Sequence, residues 1–159
     1  SQIHRHNTDF NLRVCLLPTP ADYVVVFGGV NDWGRSDVPL GNVGDKTVYS
    51  FAGAIEVLID QLSEKYGREN IRFILPMKCY NCRSISPVNG YMLKDYVSKE
   101  KEVLDYYKIP YLNLFDFGPE EPLVNTNTGL FFDGLHPNDE GHKYLAEKIS
   151  NFIRETENK

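Results

Sequence analysis

Residues 21–32 have the sequence ADYVVVFGGVND, an apolar run that ends in two glycines and an Asn-Asp pair. A continuous β-branched run of this length is typical of a parallel strand that is buried on both faces. Runs of the same kind occur at 71–76 (IRFILP) and at 109–115 (IPYLNLF), the latter with its proline near the start, where a strand tolerates one. The sequence therefore predicts three buried strands.

Amphipathic helices are predicted between these strands and after the last one. Apolar residues recur every three or four positions over 48–62, over 92–107 and over 145–153. The last stripe belongs to a helix that begins near Asn138 or Pro137, both of which are good start residues. Alternating strands and helices predict right-handed crossovers and one α/β domain, a three-layer α/β/α flavodoxin-like sandwich around a parallel sheet.

The composition limits the classes of function. The chain of 159 residues has 42% hydrophobic and 25% charged residues, values typical of one globular domain. Its net charge of −5 argues against nonspecific binding to nucleic acid or anionic membranes and favours a small-molecule partner. No run approaches the roughly 20 apolar residues of a membrane span, and the polar start lacks a signal-peptide core. We expect a cytoplasmic protein.

Three cysteines, Cys15, Cys79 and Cys82, cannot all pair within one chain, and this odd number favours a reducing compartment. The CxxC spacing of Cys79 and Cys82 is compatible with a redox pair, half a zinc site or loop cysteines without a role. No second CxxC or HxxxH follows at a usual distance, and the pair precedes a loop-like segment at 83–87. The loop interpretation is favoured, and we expect no metal or cofactor.

Two motifs fall at the carboxyl ends of predicted strands, where open α/β sheets bind ligands. GGVND at 28–32 follows the first strand, and DGLHP at 133–137 lies in the connection that leaves the third. An Asp three residues before a His can accept its Nδ1–H and leave Nε2 free as a base, and the amide of Asn31 can donate to an oxyanion. Taken alone, the first motif is also an ordinary turn, and the second is also a helix-capping segment.

Together the motifs resemble two sequence blocks of the SGNH or GDSL family of serine hydrolases. Residues 29–32 are similar to the GxND block and residues 133–137 to the DxxHP block. The resemblance extends from about Thr19 to the end of the chain. It implies a serine esterase or acylhydrolase in which His136 is the general base, Asp133 orients it, and Asn31 contributes to the oxyanion hole. The implied substrate is a small acyl ester or an acetylated carbohydrate.

The family's GDS block, which carries the nucleophilic serine, and its glycine-bearing second block do not occur in the chain. We therefore expect residues 1–159 to be the C-terminal portion of a single SGNH-hydrolase-like domain. An upstream segment of roughly 40 residues, cleaved off or supplied as a second chain, is expected to complete the sheet. Without it, a strand meant for the sheet interior exposes an edge of unpaired backbone groups, which is an aggregation hazard.

Serines within the chain are weaker candidates for the nucleophile. Ser36 follows the Asn31 motif, while Ser84 and Ser86 lie after the second strand. None of the three is at a strand-to-helix elbow, where a nucleophile of this kind is exposed. These serines are better explained as ordinary polar residues of surface loops.

Other side chains allow two interpretations each. His142, six residues after His136, is either part of a metal cluster or a surface helix histidine, and helix geometry favours the surface position. His4 and His6 are either tail residues or a weak metal site. Trp33 is either the wall of an acyl or sugar pocket or a packing residue of a turn.

Two other classes of function are compatible with the sequence. One is a non-catalytic SGNH-like binding or structural domain without the nucleophile. The other is a flavodoxin-like module that binds phosphate or nucleotide, which is disfavoured because no Gly-rich loop opens a predicted helix. In each case the loops at 33–45 and 76–90 are expected to shape specificity.

Overall fold

A computed structural model describes residues 9–35, 38–86, 88–120, 123–124 and 129–157. Its sheet consists of three parallel strands, in spatial order β1 (Val24–Phe27), β2 (Ile71–Leu75) and β3 (Tyr111–Asn113). The middle strand, β2, pairs with both neighbours, with Val24 opposite Ile71 and Phe73 opposite Tyr111. The predicted α/β fold with a parallel sheet is therefore confirmed.

Six α-helices surround the sheet in the described part of the chain: α1 (Phe10–Arg13), α2 (Val30–Arg35), α3 (Phe51–Tyr66), α4 (Leu93–Tyr107), α5 (Leu114–Phe117) and α6 (Asp139–Thr156). The three long ones are those that the apolar periodicity predicts. Within the described ranges, no helix combines the length and the apolar character needed to cross a bilayer.

Local hydrogen bonds define the ends of the long helices. The Ser50 hydroxyl accepts the backbone N–H of Gly53 at the start of α3, which ends at Gly67 with a φ of 84°. The Asn138 side chain accepts the N–H of Gly141 at 2.9 Å, so Asn138 rather than Pro137 caps α6. Such a cap stabilises a helix by about 1 kcal/mol.

The side chains of β2 pack against helices on both faces of the sheet, which gives three layers. Ile71, Phe73 and Leu75 belong to a core shared with α3 and α4, while Ile74 packs in a second core with Leu145 of α6. Every residue of β2 is buried. The sheet is thus covered by α3 and α4 on one side and by α6 on the other.

The first strand departs from the prediction that it is buried on both faces. Val26 packs into the core beneath α3, but Val25 and Phe27 are 37% and 38% exposed. They lie opposite Arg72 and Ile74, on the side of the sheet that α6 covers only over β2 and β3. Among the described residues β1 pairs with β2 alone, so its other edge is open.

The third strand is also less buried and shorter than predicted. Tyr111 and Leu112 are partly exposed, and only Asn113 is buried. The strand stops there because the Asn113 side chain accepts the N–H groups of Phe115 and Asp116 and so starts α5. Residues at 114–115, predicted as strand, are helical instead.

Candidate active site

The segment 129–138 forms a tight loop that ends at α6. Phe131 and Pro137 form an isolated antiparallel bridge, and the N–H of Phe132 donates to the His136 carbonyl at 3.1 Å. Gly134 lies at the tip with a φ of 78°, in the left-handed region that glycine adopts without strain. The loop therefore brings Asp133 and His136 to the same side.

Asp133 and His136 are brought together as the sequence predicts. Oδ2 of Asp133 lies 2.6 Å from Nδ1 of His136. Oδ1 of the same carboxylate accepts the backbone N–H of Leu135 at 3.0 Å and that of His136 at 2.7 Å. This geometry directs Nδ1–H of the imidazole to the carboxylate and leaves Nε2 available for another group.

The charge state of Asp133 follows from these contacts. The backbone N–H of His136, followed by its imidazole, lowers the pKa of the Asp133 carboxyl to about 2. The group is therefore an anion throughout the neutral range, as the orienting member of such a pair must be. The His136 side chain is 61% exposed and accessible to a reacting molecule.

An aromatic ring lies beside the imidazole. Phe132 stacks on His136 with the ring centroids 5.8 Å apart and the planes inclined by 21°. Phe132 is itself 59% exposed, so it forms an apolar wall next to the candidate base. No sequence motif marks this residue as part of a site.

Asn31 lies on another element at the same edge of the sheet. It is an exposed residue in the first turn of α2, which follows β1 after Gly28 and Gly29. Because β1 and β2 are parallel and adjacent, their carboxyl ends share one edge, and the loop after β2 contacts the loop of Asp133. No hydrogen bond joins Asn31 to Asp133 or His136 within the described residues.

A groove of about 500 Å³ lies beside β1, between the sheet and α3. Its walls are mainly apolar side chains of the sheet and of α3, among them Val26, Phe73, Ala54, Ile55 and Leu58. Neither Asp133 nor His136 lines it. The groove thus lies beside β1, and Asn31, the candidate oxyanion donor, is one of its lining residues.

Glu100 is a buried acid in this groove that was not predicted from the sequence. It is 3% exposed, and its Oε2 has no hydrogen-bond partner among the described residues. A Cβ placed on Gly29 would lie 3.2 Å from that oxygen. Burial raises the pKa of the Glu100 carboxyl to about 8, so the protonated form predominates at neutral pH.

The position of an acidic residue on the apolar stripe of a helix could have indicated that it is buried. Glu100 lies four residues after Tyr96 and three before Val103, on the apolar stripe of α4. Glu56 has a similar position on α3, where its carboxylate accepts the N–H groups of Gly44 and Lys46. Glu56 therefore fixes a surface loop, whereas Glu100 faces the groove.

The internal serines do not complete the site. Ser84 is exposed, and Ser86 is 1% exposed with its hydroxyl accepting the N–H of Val88. No serine in the described ranges hydrogen-bonds to His136. Ser36, like His4 and His6, lies outside the described residues.

The remaining candidates occupy structural positions. His142 is an exposed residue of α6, as predicted. Trp33 is 9% exposed and donates from Nε1 to the Tyr91 carbonyl at 3.0 Å, which matches the packing interpretation. Cys79 and Cys82 are joined by a disulfide, which differs from the favoured interpretation of separate loop cysteines and matches the paired alternative, and Cys15 is an exposed free thiol.

Solved structures share this fold. A protein from Lactobacillus plantarum is 30% identical with a TM-score of 0.81, and the match covers 97% of this chain and 76% of that one. A possible lipase from Chitinophaga pinensis is 18% identical with a TM-score of 0.71, covering 92% and 79% of the two chains. A peptidoglycan O-acetylesterase is 19% identical with a TM-score of 0.59, covering 92% and 40%.

Sequence comparison identifies the family. No curated protein matches the chain at a significant level. Residues 3–144, which include both motifs, match the profile of the GDSL-like lipase/acylhydrolase family. This chain therefore belongs to the GDSL-like lipase/acylhydrolase family of hydrolases.

Proposed function

We propose that the protein is a serine esterase that cleaves a small acyl ester or removes acetyl groups from a carbohydrate. The observation that carries the proposal is the 2.6 Å contact between Oδ2 of Asp133 and Nδ1 of His136, which leaves Nε2 free. Family membership supports hydrolysis of an ester. The presence of a peptidoglycan O-acetylesterase among proteins of the same fold makes acetylated carbohydrates a reasonable substrate class to test.

In the proposed reaction, Nε2 of His136 takes the proton of a serine hydroxyl as the serine oxygen attacks the ester carbonyl. The carboxylate of Asp133 stabilises the imidazolium that forms, and the side-chain amide of Asn31 donates to the tetrahedral oxyanion. The imidazolium then protonates the leaving alkoxide. Water repeats the same steps on the acyl-serine and releases the acid.

The nucleophilic serine in this proposal comes from a polypeptide segment upstream of residue 1 or from a second chain. The open edge of β1 supports this part of the proposal, because an added parallel strand would end at the same edge as Asn31. The apolar groove beside β1 offers room for such a segment. The described chain then supplies the C-terminal portion of one SGNH-like domain.

Labelling with a serine-reactive fluorophosphonate tests the proposal, with the intact mass showing which polypeptides are present. The complete protein should label and should hydrolyse p-nitrophenyl acetate. His136→Ala should abolish both reactions, whereas His142→Ala, which removes an exposed histidine of α6, should change neither. A complete protein that neither labels nor hydrolyses the ester contradicts the proposal.

One observation favours a second candidate, a non-catalytic binding domain. No serine among the described residues hydrogen-bonds to His136, although its pairing with Asp133 is intact. If purified material without any additional segment is the functional form, it should bind an acetylated oligosaccharide without cleaving it. Product formation by that material rules out this alternative.

A further inference from the structure

A short turn after β2 contacts the backbone of the loop that carries Asp133 and His136. The turn, Tyr80–Cys82, is a single 3-10 turn. In it, Asn81 donates twice: its Nδ2 to the Asp133 carbonyl at 2.9 Å and its backbone N–H to the Gly134 carbonyl at 3.3 Å. Asn81, an exposed residue, therefore binds two consecutive carbonyls of the loop that carries Asp133 and His136, here named the catalytic loop. Asn81 and Asp133 are 52 positions apart in the sequence.

The other hydrogen bonds of that loop are internal to it. Asp133 binds the N–H groups of Leu135 and His136, and Phe132 binds the His136 carbonyl. In the described ranges, the two bonds from Asn81 are the only hydrogen bonds between residues 133–136 and residues outside the loop at 129–138. Phe131 and Leu135 also pack on the two cores, and Asn81 adds the hydrogen bonds that hold the backbone between them.

Asn81 is in turn fixed by the residues on either side. Cys79 and Cys82 are joined by a disulfide, with their Cα atoms 5.1 Å apart. Both are buried in the core beneath the sheet, at 4% and 7% exposure, and the N–H of Cys82 donates to the Cys79 carbonyl. Asn81 thus projects to the surface from a small covalent ring that is anchored in the core.

We propose that Asn81 is a positioning residue for the Asp133–His136 pair, and that the thiol–disulfide state of Cys79 and Cys82 controls how firmly it does so. The proposal rests on the proposed esterase function for its effect on catalysis. A shift of the Asp133 and Gly134 carbonyls moves the carboxylate that orients the imidazole. Small displacements of this kind lower rates strongly because the base must stay aligned with the nucleophile.

The redox step is an ordinary exchange with an external dithiol. The dithiol transfers two electrons and two protons, the bond between the two sulfur atoms breaks, and Cys79 and Cys82 become thiols while the dithiol closes to a cyclic disulfide. The ring around Tyr80 and Asn81 is then open. Asn81 keeps its donors, but its backbone is free to move away from the catalytic loop.

The first experiment compares Asn81→Ala and Asn81→Asp with a matched control, Asn70→Ala, which also removes one amide-to-carbonyl bond, of 2.8 Å, but at the end of α3. The readouts are the tautomer of the His136 ring by ¹⁵N NMR and the hydrogen exchange of its amide, both in the 159-residue chain. The unmodified chain should show the Nδ1–H tautomer. Both Asn81 variants should show a mixture of tautomers and about 10-fold faster exchange, and Asn70→Ala should match the unmodified chain.

In the complete hydrolase, Asn81→Ala should lower kcat for p-nitrophenyl acetate by about 10-fold to 100-fold with little change in KM. Asn81→Gln, which keeps the amide donor, should restore part of the rate. If Asn81→Ala leaves the tautomer, the exchange and kcat unchanged, Asn81 has no positioning role. If the tautomer shifts but the complete protein hydrolyses no ester, the esterase function fails while the positioning of His136 stands.

The second experiment tests the disulfide. Reduction with dithiothreitol should shift the His136 tautomer and exchange in the direction of Asn81→Ala, and reoxidation should reverse the shift. The double variant Cys79→Ser/Cys82→Ser should resemble the reduced protein and should not respond to reductant. If the double variant does not fold, reduction and reoxidation of the unmodified chain still test the role of the disulfide. If the oxidised and reduced proteins show the same His136 tautomer and amide exchange, the disulfide does not control the position of Asn81.

Discussion

The carboxylate of Asp133 binds both the backbone and the ring of His136: Oδ1 accepts the His136 N–H at 2.7 Å, and Oδ2 lies 2.6 Å from Nδ1. Backbone and side chain of the candidate base are therefore oriented by one neighbouring group. The arrangement is formed within four residues of a single loop, and Asn81 binds the backbone of that loop from 52 positions away.

Asp133→Asn removes the negative charge of this side chain but nearly preserves its size and shape. The amide oxygen can still accept the backbone N–H groups, but no anion faces Nδ1, so the wrong tautomer of His136 becomes favourable. We expect kcat/KM of the complete hydrolase for p-nitrophenyl acetate to fall by about 10³-fold to 10⁴-fold. Glu140→Gln, an equivalent change at the exposed start of α6, should leave the rate unaltered.

Asn31→Ala should lower kcat by about 10²-fold to 10³-fold with little change in KM, because the amide is expected to act on the oxyanion rather than on bound substrate. The residue is exposed, so the free energy of unfolding should change by only about 0.5 kcal/mol or less. Steady-state kinetics and urea denaturation of the same preparations test both statements. An unchanged kcat would remove Asn31 from the oxyanion hole.

Glu100 should make stability depend on pH. Its pKa is about 8 in the folded chain and close to 4.5 when the chain is unfolded, so between these values the folded state binds the extra proton. The free energy of unfolding should therefore decrease as pH rises from about 5 to about 8, by up to ~1.4 kcal/mol per pH unit.

Urea denaturation across that range measures the slope. Glu100→Gln, which is neutral at every pH, should flatten it and be more stable than the unmodified chain near pH 8. Glu147→Gln, at an exposed position of α6, should retain the original slope. Parallel curves for Glu100→Gln and the unmodified chain are incompatible with a buried carboxyl that ionises in this range.

The exposed face of β1 and its unpaired edge should promote self-association of the 159-residue chain. Val25 and Phe27 are exposed next to an edge with no strand partner among the described residues. Val25→Lys should reduce concentration-dependent association in light scattering and keep the circular dichroism of the folded chain. Val88→Lys, which replaces an exposed valine in a loop, should not reduce it. Association that is equal in both variants would exclude the β1 face as its cause.

The sequence by itself determined what depends on local spacing. Apolar periodicity located the three long helices, Asn138 was recognised as a cap, and the three-residue separation of Asp133 and His136 was enough to predict their contact. Each of these involves residues within one helix or one loop, where covalent geometry limits the alternatives.

Only the tertiary structure decided which surfaces are covered and which distant groups meet. A valine-rich strand looks the same in sequence whether one or both of its faces are packed, so the exposure of Val25 and Phe27 could not be predicted. The same holds for Glu100, which faces a groove built from several helices and two strands, and for Asn81, which binds a loop 52 positions away. Such contacts depend on how the helices pack on the sheet, because packing sums many weak interactions between segments that are far apart in the chain.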